Sequence, residues 1–141
     1  MPLEQPPRLV GVDYGHKRVG LALADPLRMF AKAYRTVLTR EAVAELVDLD
    51  QREGIETLVV GWPLLPDGSE GAATEKVAAF VKRVEKALPD VEVVRMDERY
   101  TSEEAKALVR VSAAKRKQRR ERGRVDAAAA ALILQRYLDG E

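Results

Sequence analysis

Cysteine is absent from the 141 residues, which excludes disulfides, thiol catalysis and zinc–thiolate sites. Histidine occurs once, at His16, so no histidine cluster is available to a softer metal. Asparagine is missing, and aromatic residues make up only 5% of the chain. The longest uninterrupted apolar run, AAAAALIL at 127–134, is far too short to cross a bilayer. The opening MPLEQPPRLV has no basic region followed by a hydrophobic segment, so no secretion signal is expected. Together these absences lead to the expectation of a cytoplasmic protein that does not engage a membrane.

What is present describes an ordinary globular chain, with 46% hydrophobic and 33% charged residues. The length predicts a single domain over 1–141, with residues 1–7 as a flexible lead-in. The net charge of +1 conceals a local extreme. The segment KRKQRRERGR, 115–124, places Lys115, Arg116, Lys117, Arg119, Arg120, Arg122 and Arg124 against a single acid, Glu121. Such a run is either a solvated face or a phosphate-binding surface, and its density favours phosphate.

Leu9–Asp13 and Arg18–Ala24 read as strands joined by a tight Tyr14–Lys17 connection. In the second, Val19, Leu21 and Leu23 alternate with Gly20, Ala22 and Ala24. A third, weaker strand is predicted near Tyr34–Leu38. Apolar spacing predicts a helix over Glu41–Arg52, terminated at Gly54. TLVVG at 57–61 is continuously apolar, as a strand buried on both faces should be. A second helix carries Val77, Phe80, Val81, Val84 and Leu88 on one face, and 91–98 reads as another strand. Thr101 with Glu104 signals the cap of a short helix to about Val109, and a last helix is predicted from Val125 to Leu138. The order β-β-β-α-β-α-β-α-α implies an α/β fold: a mixed five-stranded sheet, antiparallel meander plus parallel strands, with helices on both faces.

Asp13 is the anomaly, because an apolar strand rarely carries a carboxylate and burying one unpaired is costly. Glu98 closes the last strand and Asp126 opens the last helix, so both can converge on Asp13 at the carboxyl ends of the parallel strands. The five alanines at 127–131 let that helix approach the sheet closely. Three converging carboxylates repel one another unless a cation compensates them, and oxygen-only ligands suit Mg²⁺ or Mn²⁺. Asp97 reads as a neighbour pointing away from Glu98. His16 in an exposed turn is either solvated or a proton shuttle. Trp62, beside the proposed site, either stacks on a nucleic-acid base or packs a strand end.

In order, DYG-x₃-VG at 13–20, VVGWPLLPDGSE at 59–70, DERYTS at 97–102 and GRVDAAAA at 123–130 resemble the motifs of the YqgF/RuvX family. These are bacterial proteins with an RNase H-like fold, described both as Holliday junction resolvases and as nucleases maturing the 5′ end of pre-16S ribosomal RNA. The resemblance runs from about Arg8 to Leu138. It departs at Trp62, where a small or aliphatic residue is usual, and at Leu65-Pro66, where relatives carry a polar pair. Related resolvases also tend to carry a second acid on the last helix, where this chain has Ala129.

The resemblance implies a metal-dependent nuclease whose catalytic and metal-binding carboxylates are Asp13, Glu98 and Asp126. It further implies nucleic acid as partner, held by Lys17, Arg18, Trp62 and the seven cations of 115–124. The expected substrate is structured or single-stranded RNA, and pre-16S rRNA in particular. Branched DNA is the alternative, and paired cuts at a junction would call for a homodimer. A further alternative is a nucleotide- or RNA-binding protein without turnover.

Overall fold

A computed structural model describes residues 5–98 and 124–140, with side chains in the last stretch from Ala127 onward. Strand β1 (Arg8–Tyr14) pairs antiparallel with β2 (Arg18–Ala24), with Asp13 opposite Gly20. At Gly15 a side chain would run into the carbonyl oxygen of Arg18, so this tight turn has room only for glycine. Strand β3 (Ala31–Leu38) continues the meander and begins three residues before the expected Tyr34. The reason is its place at the sheet edge. Lys32 and Ala33 are exposed, so no apolar alternation marks them, and the Ala31 N–H is fixed by the Gln135 Oε1 at 2.8 Å.

A 3₁₀ turn, Thr39–Glu41, leads into helix α1 (Ala42–Glu53), whose buried face is Ala42, Leu46 and Leu49. Gly54 ends it at φ 80°, a conformation that favours glycine. Strand β4 (Ile55–Trp62) then runs parallel to β1, helix α2 (Ala72–Ala87) crosses over, and β5 (Glu92–Asp97) runs parallel to β4. Helix α3 spans Arg124–Leu138. The sheet order is β3-β2-β1-β4-β5, with β1 at the centre. The short helix expected over 101–109 and the basic residues 115–123 lie outside the described residues.

Helices cover both faces of the sheet, as the element order predicted. On one face Val10, Val12, Leu21, Leu58 and Val60 meet Leu46 and Leu49 of α1 and Val77 and Phe80 of α2. On the other, Leu9, Ala22, Ala24, Val59 and Met96 meet Ala130, Ile133 and Leu134 of α3. The α3 layer lies close against β1. A Cβ on Gly11 would sit 2.5 Å from the Ala130 carbonyl oxygen and 2.8 Å from the Leu134 Cβ. Among the described residues, no helix is long and apolar enough to cross a membrane.

Candidate active site

Strand alternation decides which carboxylates can meet. Val10 and Val12 point into the α1/α2 core, so Leu9, Gly11 and Asp13 belong to the α3 face. On β5 the α3-side residue is Met96, and Glu98, two residues on, shares its side. The backbone N–H of Glu98 donates to the Trp62 carbonyl at 3.1 Å, which anchors it just beyond the strand end. From there its side chain crosses β4 and its carboxyl hydrogen-bonds that of Asp13.

Two carboxyl groups can bond to each other only when one of them holds a proton. Burial raises the Glu98 carboxyl above its ordinary pKa, the neighbouring Asp97 charge adds to this, and the hydrogen bond with Asp13 opposes it. An all-oxygen donor set of this kind fits a hard divalent cation, whose charge would compensate the two neighbouring carboxyl groups. Among the described residues no group of three or more metal-ligating side chains comes together.

The third expected carboxylate enters through the course of α3. Gln135 Nε2 donates to the Met29 carbonyl at 3.0 Å, and its Oε1 accepts from Ala31, so the end of α3 lies at the β2–β3 turn. That turn sits at the start of β1, since Val10 pairs with Leu23. Helix α3 thus runs opposite to β1, with its N-terminus over the sheet end that bears Asp13. Ala130 stacks on Gly11. Asp126 is four helical residues earlier, about 6 Å. Asp13 is two strand residues later, about 6–7 Å. The backbone of Asp126 is therefore carried to the end of the sheet where Asp13 and Glu98 meet, and the positive end of the helix dipole goes with it.

Lys17 in the turn directly after β1 and Arg18 at the start of β2 lie exposed at this same end, and His16 is exposed beside them. Trp62 is different. It is only 5% exposed, it belongs to the α1/α2 core, the Arg95 guanidinium lies 4.1 Å over its ring, and its Nε1 donates to Glu70 at 3.3 Å. Of the two roles open to it, the described structure puts it in packing, because no ring face is left for a base. Sequence reasoning missed Gly11 and Gly61. A glycine in an apolar strand is a weak signal of close approach, and only the strand register says what approaches.

The topology and the acidic end of its central strand define an RNase H-like protein. The same architecture occurs in Thermus thermophilus RuvC in complex with a Holliday junction substrate, at TM-score 0.58 and 16% identity, over 96% of this chain and 95% of that one. A second Thermus thermophilus RuvC structure gives 0.56 and 17%, over 94% and 95%. More specifically, the chain belongs to the RuvX family, described as Holliday junction resolvase, whose pattern matches residues 7–140. A Salinibacter ruber protein is 52% identical over 132 residues, covering 94% of this chain and 92% of that one. A Chlorobium luteolum protein is 43% identical, with 94% of each covered. Both are provisionally named pre-16S rRNA nucleases.

Proposed function

We propose that this chain is a metal-dependent nuclease, a single hydrolytic domain acting in the cytoplasm on the 5′ end of pre-16S rRNA. The observation that carries the reading is the pairing of Asp13 with Glu98 at the carboxyl end of the central strands. The names of the relatives, at up to 52% identity, support the class and the RNA substrate. Asp13, Glu98 and Asp126 would hold two Mg²⁺ or Mn²⁺ ions. When bound, such ions supply a water-derived nucleophile and neutralise charge on the phosphate and the leaving 3′-oxygen. The residues themselves do the rest. Asp13 and Glu98 fix oxygen ligands at the end of the sheet. Lys17, Arg18 and the cations Lys115, Arg116, Lys117, Arg119, Arg120, Arg122 and Arg124 hold the phosphate backbone. Nothing in the sequence supplies a base-reading motif, so recognition depends on strand state and shape.

Junction resolution is the second reading, favoured by the family description and by the likeness to RuvC, and it requires a symmetric dimer. Purified protein is to be incubated with precursor rRNA fragments, single-stranded RNA and four-way DNA junctions, with Mg²⁺ or Mn²⁺. Preferential cleavage of the precursor is expected. Asp13→Asn, Glu98→Gln and Asp126→Asn should each reduce cleavage about 10³-fold or more, because several kcal/mol of transition-state stabilisation are lost. Their unfolding midpoints should hold or rise. Near-native cleavage by all three variants would reject the assignment, and binding without cleavage by the native chain would favour a protein without turnover.

A further inference from the structure

Gly61 lies on β4 between the two strands that present the acidic pair. One step past the last β1–β4 pair, Val12 with Val60, it stands beside Asp13, and on its other side it pairs with Met96 of β5. It belongs to the α3 face, as Val59 does. A glycine here weakens the strand, and its backbone does not call for one: the described glycines with positive φ are Gly54, Gly68 and Gly140. What it provides is space. A Cβ at this position would lie 2.7 Å from both the Cγ and the Cδ of Glu98 and would collide with its Oε1.

We propose that Gly61 is a positioning residue: its missing side chain is the passage through which Glu98 crosses β4 to meet Asp13. The kind of neighbour matters. At Gly11 an added methyl would strike a backbone carbonyl, so the helix would have to move. At Gly61 the three atoms it would meet first, Oε1, Cδ and Cγ, all belong to the flexible side chain of Glu98, so Glu98 can move while the sheet stays. Gly61→Ala therefore separates the site from the fold. The inference rests on the reading of Asp13 and Glu98 as the acting pair, and its test includes a measurement that does not depend on cleavage.

That measurement is a double-mutant cycle on the metal-free protein. Asp13→Ala, Glu98→Ala and the double variant are compared by unfolding midpoint, first with the native Gly61 and then in the Gly61→Ala background. With Gly61 the two effects are expected to be non-additive, since the two side chains interact directly, and in the Gly61→Ala background they become additive. Alongside, Gly61→Ala should fold and unfold cooperatively like the native chain, while the Mn²⁺ dissociation constant, measured by calorimetry without nucleic acid, rises at least tenfold. Retained coupling together with native Mn²⁺ affinity would overturn the proposal. So would a Gly61→Ala protein that fails to fold, which would put this glycine in the framework instead. If the carboxylate variants cleave normally while the cycle behaves as expected, it is the nuclease reading that falls and the positioning that stands.

Discussion

The two faces of the sheet are built from different material. Under α1 and α2 the contacts are large: Val10, Val12, Leu21, Leu46, Leu49, Leu58 and Phe80, all fully buried. Under α3 large residues (Leu9, Val59, Met96, Ile133 and Leu134) are mixed with small ones, Gly11, Ala22, Ala24 and Ala130, and Gly61 lies at the edge. Large side chains remove more apolar area from water, so the first face carries more of the stability. Small ones bring backbone and carboxylates close together, and the acidic pair is on that side. A change on the first face should therefore cost stability, and a change on the second should cost geometry.

Trp62→Ala tests the division most severely, because Trp62 adjoins Gly61 in sequence yet faces the opposite layer. Removing this buried ring should cost about 3–5 kcal/mol of stability in a denaturant titration. Single-strand affinity per folded molecule should stay unchanged. A loss there of about 1–3 kcal/mol, the value of a base stacked on an aromatic, would move Trp62 to the binding side and break the comparison.

Gly11→Ala comes next. The added methyl has nowhere to go between β1 and the Ala130 carbonyl, so overpacking should cost about 1–3 kcal/mol. Cleavage per folded molecule should fall as well, because lifting α3 lifts Asp126 away from Asp13. Stability loss with full activity would show that the height of α3 does not matter to the chemistry.

The smallest effect is expected at Asp25, in the turn between β2 and β3 and outside both layers. Its carboxylate accepts from the N–H groups of Phe30, Met29 and Leu27 at 2.7, 2.9 and 3.1 Å. The Phe30 bond chiefly lowers its pKa below the ordinary 3.8. A lowered folded-state value stabilises the fold above the unfolded pKa and is lost as pH falls through the folded one. Asp25→Ala should therefore depress the unfolding midpoint slightly at neutral pH, with the gap to the native chain closing in acid and cleavage untouched. A gap that persists in acid would assign the loss to something other than the charged carboxylate.

These contrasts also explain what the sequence made legible. The continuous apolar run of β4 and the alternation of β2 announce strands because their side chains are fully buried. The edge strand β3 announces only its second half, since exposed positions are under little hydrophobic constraint. Asp13 stood out because a carboxylate in such a strand needs compensation, and its meeting with Glu98 followed from both lying at the ends of parallel strands. The route between them did not. That Glu98 passes over Gly61 depends on the β1–β4 and β4–β5 registers, and registers depend on the whole chain. Nor could the setting of Trp62 be read, because a tryptophan at a strand end has the same signature whether its ring faces solvent or an arginine.

The grip of Gln135 on Ala31 joins residues 104 positions apart, and that span has a consequence in time. In a chain growing from its N-terminus, the sheet and the α1/α2 layer can close once Asp97 has emerged. The contacts of Leu9, Gly11, Val59 and Met96 with residues 127–134 then wait for those residues to follow, because distant contacts form only after the intervening chain exists. Under the proposed function this ordering is a safeguard. A cleaving centre that needs Asp126 remains incomplete during synthesis, while the nascent chain is still tethered to a ribosome made of RNA.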